Sequence, residues 1–218
     1  MRILKPIALM TLTVAVFISS QAIGQKKGEE KKEGYTFEMK VDLPASPVKN
    51  QYRSGTCWSF SSLSFMESEL MRMGKGEYDL SEMFVVRNAY AEKAEKYVRF
   101  HGEFNFGGGG AFHDATHVMK QYGMVPEEAY PGLLEGEEDH IHGELDAVTL
   151  AFVETIIKNR NKKLSPAWKK AYNGILDAYL GEYPESFTYN GKSYTPRSFA
   201  DELGINPDDY VEIGSYTH

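Results

Sequence analysis

The sequence has a single cysteine, Cys57, so no disulfide can form within the chain. Exported domains commonly rely on disulfides, and a chain without them needs another reason to keep one unpaired thiol. Basic residues are also fewer than acidic ones. The chain has 24 Lys and Arg and 31 Asp and Glu, which gives a formal net charge of -7. Contacts with phosphate groups need clustered positive charge, so this balance argues against nucleic-acid binding.

Long apolar runs are scarce, and the main one lies near the start of the chain. Two basic residues precede an apolar stretch over residues 7–18, and the small residues Ala22 and Gly24 follow it. This order is typical of a secretory signal peptide over residues 1–24, with cleavage before Gln25. The stretch is shorter than the roughly 20 residues that span a bilayer, so stable membrane insertion is not expected. We therefore predict an exported protein, periplasmic or secreted.

Cys57 lies directly before a run with helical apolar spacing, because residues 51–60 read QYRSGTCWSF. A helix N-terminus carries about half a positive charge, which favours the thiolate that acts as a nucleophile. A solitary cysteine is nevertheless more often a small buried apolar residue. Position alone leaves both interpretations open.

Four consecutive glycines at residues 107–110 are the second informative feature. A phosphate-binding loop would need Lys followed by Ser or Thr after the glycines, and this pair is missing here. Glycine has no Cβ, so its backbone N–H and C=O groups can approach an extended peptide closely. The run therefore favours backbone recognition over phosphate binding.

The segment around Cys57 resembles the active-site segment of papain-like cysteine peptidases. In that family a glutamine lies six residues before the nucleophile, and Gln51 keeps this spacing to Cys57. The family's Gly-Gly, Tyr-Gly and Tyr-Pro pairs have counterparts, in order, at residues 109–110, 122–123 and 130–131. The lack of disulfides is similar to the branch that contains bleomycin hydrolase and bacterial aminopeptidase C, and short matches at residues 194–196 and 207–210 favour the same branch.

The resemblance implies that Cys57 attacks a peptide carbonyl and forms a thioester. The Gln51 amide and the Cys57 backbone N–H would hold the oxygen as it becomes negative, and one such donor typically contributes about 3 kcal/mol. Trp58 would shield the site, while Gly109 and Gly110 would bind the substrate. A peptide is then the expected substrate, no cofactor or metal is required, aminopeptidase activity is favoured, and oligomerisation is possible for a longer parent protein.

The implied fold is α+β and papain-like, mainly the helical lobe with a helical and hairpin insertion, the second (barrel) lobe being largely absent. We place a mobile charged leader at residues 25–36, the helical lobe at 37–135 and a family-type insertion at 136–218. None of the six histidines lies in a segment that resembles the family's catalytic His. We therefore expect that His and its partner Asn beyond residue 218, and we expect the chain alone to be inactive.

Two histidine pairs have simpler interpretations. His113 and His117 share the i,i+4 spacing of helical metal ligands, but no Glu and no third ligand accompany them, so we predict partly exposed residues and no metal site. His140 and His142 flank Ile141 in an acidic stretch and are predicted at the surface. A charged group is likewise predicted to be a solvated helix face without function: Glu92, Lys93, Glu95 and Lys96.

Helical periodicity, caps and turn residues predict the secondary structure. A first helix is predicted from Cys57 to Met73, with Gly74 as its terminator and with Leu63, Met66, Leu70 and Met73 on its apolar face. Three further helices are predicted to begin at Ser81, near Leu145 and at Ser165-Pro166, with Leu145, Val148, Phe152 and Ile156 on one face of the third helix. A hairpin turns at Asn190-Gly191, and a short helix runs from Thr195-Pro196 to Gly204.

Two alternatives remain open. A noncatalytic exported binding module with the fold of a peptidase lobe would behave identically after Cys57→Ala. A thiol acyltransferase would use the same nucleophile with an amine as acceptor, and analysis of its products would distinguish it from a peptidase.

Overall fold

The computed structural model describes residues 34–160 and 163–214, and the predicted signal peptide and most of the charged leader lie outside these ranges. The chain divides into two units, residues 1–42 and 43–218. In the first unit, the described residues have no helix or strand, and Phe37, Met39 and Val41 are mostly exposed. All helices and strands given below belong to the second unit.

Six α-helices and one hairpin make up the second unit in the described ranges. In chain order the helices are α1 (Cys57–Arg72), α2 (Glu82–Arg99), α3 (Phe112–Tyr122), α4 (Gly143–Ile157), α5 (Ala167–Leu180) and α6 (Pro196–Leu203). Strands β1 (Phe187–Tyr189) and β2 (Lys192–Tyr194) pair antiparallel, with Phe187 opposite Tyr194. Single turns of 3₁₀ helix lie at Glu127–Ala129 and Pro207–Asp209.

Helix α2 is the centre of the packing, because it contacts α1, α3, α4 and α5. Its first half, Met83 to Tyr90, is buried on every side, as a helix surrounded by other helices requires. Ser81 caps it as predicted, with its Oγ accepting a hydrogen bond of 3.0 Å from the Phe84 N–H. Helix α1 therefore packs against a buried and capped helix.

The hairpin and the last helix are confirmed with their turn chemistry. Asn190 and Gly191 both have positive φ, 49° and 76°, which a type I′ turn demands. The Thr195 side chain accepts from the Ser198 N–H and caps α6, and Gly204 ends it at φ 73°. Two aromatic rings of the hairpin, those of Phe187 and Tyr194, pack against the Phe199 ring of α6.

Two predicted apolar faces are wrong in part. Met73 is 39% exposed, because α1 has already ended at Arg72, whereas Leu63, Met66 and Leu70 are fully buried. In α4 the buried stripe is Leu145, Thr149 and Val153. Val148, Phe152 and Ile156 are only half-buried in a groove beside α5. None of the helices in the described ranges combines the length and apolar character that crossing a bilayer requires.

Candidate active site

Cys57 is the first residue of α1, and it is exposed. The preceding residue, Thr56, is buried, and its carbonyl accepts from the Ser59 N–H at 2.9 Å. The thiol therefore lies at the positive end of a 16-residue helix and is open to solvent. This position excludes the interpretation of Cys57 as a buried apolar residue.

The loop before Cys57 turns sharply and brings Gln51 back towards the thiol. The Ser54 N–H donates to the Gln51 carbonyl at 3.2 Å, and the Ser54 and Thr56 hydroxyls lie 2.5 Å apart. Gly55 has φ 70° and Tyr52, a non-glycine, has φ 49°. Such left-handed conformations are uncommon for a bulky residue and persist where surrounding contacts hold them.

Gln51 and Cys57 line the same cavity, of about 310 Å³. The Gln51 Oε1 atom is buried without a hydrogen-bond partner among the described residues. The other residues that line the cavity come from the segment before Gln51, from α1 and from the start of α2: Pro47, Val48, Lys49, Phe60, Ser61, Ser64, Glu67 and Glu82. A peptide carbonyl placed in this cavity would have both Gln51 and Cys57 in its wall.

The loop is held from outside by a segment far along the chain. The Arg53 N–H donates to the His140 carbonyl at 3.0 Å, and the His142 N–H donates to the Arg53 carbonyl at 3.2 Å. The prediction that His140 and His142 are surface residues is wrong for this reason: His142 is 3% exposed and His140 is half-buried against the Phe60 ring. Burial lowers the pKa of His142 to about 4 and also lowers that of His140.

A buried ionic cluster forms the floor of the cavity. Lys49 Nζ lies 2.8 Å from Glu82 Oε1 and 3.2 Å from Glu67 Oε1. Asp79 at 2.5 Å and the Leu80 carbonyl at 3.1 Å complete its shell. Although burial alone would lower it, these carboxylates raise the pKa of Lys49 above its ordinary value. The ammonium thereby fixes the segment that leads to Gln51 onto α1 and α2.

The cluster holds more acid than base. Burial raises the pKa of Glu82 to about 7 despite the Lys49 charge, and burial together with Glu82 raises that of Glu127 to about 8. Glu67 Oε2 and Glu127 Oε2 are buried without partners among the described residues. Glu82 lines the cavity and Glu127 does not, so the raised pKa of Glu82 is the one that bears on the cavity wall.

The glycine run packs against the residue that follows the nucleophile. Trp58 Nε1 donates to the Gly108 carbonyl at 2.8 Å. A Cβ at Gly110 would lie 2.6 Å from the Trp58 ring, whereas a Cβ at Gly109 would meet nothing within 4 Å. Trp58 thus joins α1 to the glycine run, although neither it nor Gly109 or Gly110 lines the Cys57 cavity itself.

Lys93 is not part of a solvated face, contrary to the prediction. Its ammonium donates to the Gly107 carbonyl at 3.2 Å and to the Gly109 carbonyl, and it lies 5.6 Å from the centre of the Trp58 ring. Burial lowers the pKa of Lys93. Because Lys93 lies on α2 and bonds two carbonyls of the glycine run, it ties that run to the central helix.

The remaining histidines lie elsewhere. His113 contacts Glu212, and His117 Nε2 lies 2.8 Å from Glu92 Oε1, both on the exposed side of α3. Within the described ranges no histidine lines the Cys57 cavity, and no group of three His, Cys, Asp or Glu side chains is arranged to hold a metal ion. His218 lies outside those ranges.

A family comparison decides the assignment. Residues 36–189 match the model of the papain family cysteine protease, Peptidase_C1. The chain belongs to the papain family. The match extends beyond residue 135, so it includes α4, α5 and β1, part of the segment predicted as an insertion.

Several characterised members of the papain family are similar to this chain. Aminopeptidase C of Listeria monocytogenes is 24% identical, over 78% of this chain and 44% of that protein. Aminopeptidase G of Lactobacillus delbrueckii subsp. lactis is 28% identical, over 79% and 48%. Rabbit (Oryctolagus cuniculus) bleomycin hydrolase is 25% identical, over 71% and 66%. The chain thus spans about half the length of the aminopeptidases that it matches.

A solved structure supports the predicted fold. The crystal structure of PepW from Lactobacillus rhamnosis matches with a TM-score of 0.55 at 22% identity, covering 80% of this chain and 47% of that one. The α+β papain-like fold, mainly as the helical lobe, is therefore confirmed. The residues around the site that sequence reasoning missed are Lys49, Lys93 and the 140–142 segment, because their roles depend on contacts between distant parts of the chain.

Proposed function

We propose that this papain-family chain carries the nucleophile half of a cysteine peptidase, with Cys57 as nucleophile and Gln51 as oxyanion donor. The observation that carries the proposal is that the exposed thiol at the start of α1 and the Gln51 side chain line one cavity. In the reaction, Cys57 Sγ bonds to the carbonyl carbon, the C–N bond breaks, and the amine leaves with a proton. Water then hydrolyses the thioester and releases the acid.

The base for this reaction is expected from a histidine outside the cavity described above. Proton transfer to the leaving amine requires such a group within hydrogen-bond reach, and the cavity wall holds none among the described residues. The 218-residue chain alone should therefore show no peptide turnover. We further propose an aminopeptidase specificity, which the names of aminopeptidase C and aminopeptidase G support, and export of the protein by the predicted signal peptide.

An activated ester tests the Cys57 and Gln51 roles without a base. p-Nitrophenyl acetate should acetylate Cys57 in the 218-residue chain, seen as p-nitrophenolate release and as a mass increase on that residue. Gln51→Ala should slow the acetylation about 100-fold, because an oxyanion donor is lost. Gln121→Ala, on the exposed side of α3, is the matched control and should leave the rate unchanged. Equal rates for both variants would remove Gln51 from the mechanism.

Peptide substrates test the specificity. The longest protein expressed from the gene should release 7-amino-4-methylcoumarin from its L-leucyl derivative and should not cleave the N-acetyl-L-leucyl derivative. Unchanged behaviour of Cys57→Ala in every assay would favour the noncatalytic binding module. Transfer of the acyl group to an added amine in preference to water would favour the acyltransferase.

A further inference from the structure

A second cavity, of about 520 Å³, lies between α2 and α5 and shares no lining residue with the Cys57 cavity. Its volume is within the roughly 300–1,000 Å³ of small-molecule sites. The wall holds four aromatic rings, of Tyr122, Trp168, Tyr172 and Tyr183. The proposed catalytic chemistry uses none of these residues, so this cavity needs an explanation of its own.

One wall of this cavity holds a buried cation with an unused donor. Arg87 is 5% exposed, its Nη2 bonds Asp177, and its guanidinium lies 4.9 Å from the centre of the Tyr183 ring. Its Nε is buried with no partner in the part of the chain that the structure describes. A buried charged donor left without an acceptor is costly. An oxygen atom of a ligand would supply that acceptor.

The rest of the lining is acidic. Four carboxylates, from Glu92, Glu95, Asp177 and Glu185, face two cations, Arg87 and Lys169, which gives 2 - 4 = -2. Both cations already have acidic partners, since Lys169 Nζ lies 2.8 Å from Glu95 and Arg87 bonds Asp177. Glu95 also contacts Arg99, and Glu92 contacts Lys96, both outside the lining. Glu185 has no ion-pair partner among the described residues, and a free carboxylate beside aromatic faces attracts an ammonium group.

We propose that this cavity binds an α-amino acid unit, free or at the start of a peptide. Its ammonium lies among the carboxylates, its carbonyl or carboxylate oxygen accepts from Arg87 Nε, and its side chain packs on the Trp168 and Tyr172 rings. The proposal does not depend on Cys57, because the two cavities are separate.

Isothermal titration calorimetry of the 218-residue chain with three matched probes tests each part of this assignment. L-Leucinamide, which has both groups, should bind with saturation at one site per chain. N-Acetyl-L-leucinamide lacks the ammonium and isopentylamine lacks the carbonyl, so each should bind at least about tenfold more weakly. Equal affinity of L-leucinamide and either truncated probe, or no binding of any probe, would overturn the proposal.

Variants locate the bound probe. Asn173→Phe should fill the cavity from the exposed side of α5 and abolish binding, whereas Ala171→Phe, exposed on the same helix outside the lining, should not. Arg87→Lys keeps a positive charge but loses the Nε donor, and it should weaken L-leucinamide about tenfold. Binding that survives Asn173→Phe would place the site elsewhere and contradict the assignment.

L-Leucine and the tripeptide Leu-Gly-Gly distinguish the two sources. Tighter binding of L-leucine identifies the free amino acid as the ligand, and tighter binding of Leu-Gly-Gly identifies a peptide amino terminus. The p-nitrophenyl acetate reaction at Cys57 is measured separately, so failure of one proposal leaves the other standing.

Discussion

At the scale of single residues, the Gly110–Trp58 contact holds the glycine run against the start of α1. Gly110 has no room for a side chain because the Trp58 ring occupies the place of a Cβ. The indole is in turn held by the Gly108 carbonyl. The glycine at this position is therefore required by packing, while Gly109 is free of such a constraint.

Gly110→Ala and Gly109→Ala form a matched pair. The methyl group at position 110 should displace the Trp58 ring and lower the free energy of unfolding by about 1–3 kcal/mol, with a shift in tryptophan fluorescence. The same change at position 109 meets nothing within 4 Å and should leave both quantities nearly unchanged. Urea unfolding monitored by fluorescence measures the difference, and equal effects would contradict the packing argument.

Sequence reasoning predicted local structure well where a residue's role depends on its near neighbours. The start of α1 at Cys57, the Ser81 cap and the Asn190-Gly191 turn follow from local rules. Lys93 was misjudged because a lysine between charged neighbours has the same sequence pattern whether it meets water or the Gly109 carbonyl. Only the fold brings α2 beside the glycine run.

At the scale of elements, the ionic cluster of Lys49, Glu67 and Glu82 joins the segment before Gln51 to α1 and α2. Together with the neighbouring Glu127, it should make the free energy of unfolding depend on pH. Glu82 and Glu127 have folded-state pKa values of about 7 and about 8, above the ordinary 4.5. Between about pH 4.5 and these folded-state pKa values, the folded protein therefore binds more protons than the unfolded chain. The stability that depends on protonated Glu82 and Glu127 is fully present below about pH 4.5 and is lost as the pH rises through 7 to 8.

Glu127→Gln should remove part of this dependence. The neutral amide needs no proton, so the variant should gain about 1 kcal/mol over the wild type at pH 9 and differ little at pH 5. Glu128→Gln, exposed and adjacent, is the control and should show no such pH-dependent gain. Urea unfolding at the two pH values measures the effect. A gain of the same size at both values would mean that lost strain, not titration, is responsible.

Five of the six helices in the described ranges were predictable from apolar periodicity and terminating residues, and two of them have a side-chain cap, Ser81 and Thr195. Helix α3 was not predicted, and its N-cap residue makes no side-chain cap hydrogen bond. The exceptions are informative: His142 lies in an acidic stretch that predicts exposure, yet pairing with Arg53 buries it. Likewise the apolar face of α4 includes Thr149, whose hydroxyl is satisfied by the Leu145 carbonyl at 2.7 Å. Hydrophobic spacing cannot reveal a polar residue that finds its partner within the helix.

At the scale of the whole molecule, export is a separate and testable property. The predicted signal peptide lies outside the described residues, and the argument for it is the order of basic, apolar and small residues in the sequence. The same order predicts a mature chain that begins at Gln25. Its processing can be examined without any assay of activity.

Expression of the whole chain in a bacterium should give a periplasmic or secreted product with the mass expected from Gln25 onward. Gly24→Leu should block cleavage, because signal peptidase requires a small residue directly before the cut. Gly28→Leu, beyond the cut, should be processed normally. Mass spectrometry of the fractions measures both, and an intact cytoplasmic product in all cases would overturn the export prediction.

The backbone pairing of Arg53 with residues 140 and 142 also constrains when the nucleophile loop can form during synthesis. A ribosome must release α1, α2 and α3 before the segment 140–142, which pairs with this loop, emerges. Contacts so distant in sequence form slowly compared with the helices between them. A nascent chain stalled before residue 140 should therefore carry a formed helix and a reactive thiol whose glutamine is still unplaced.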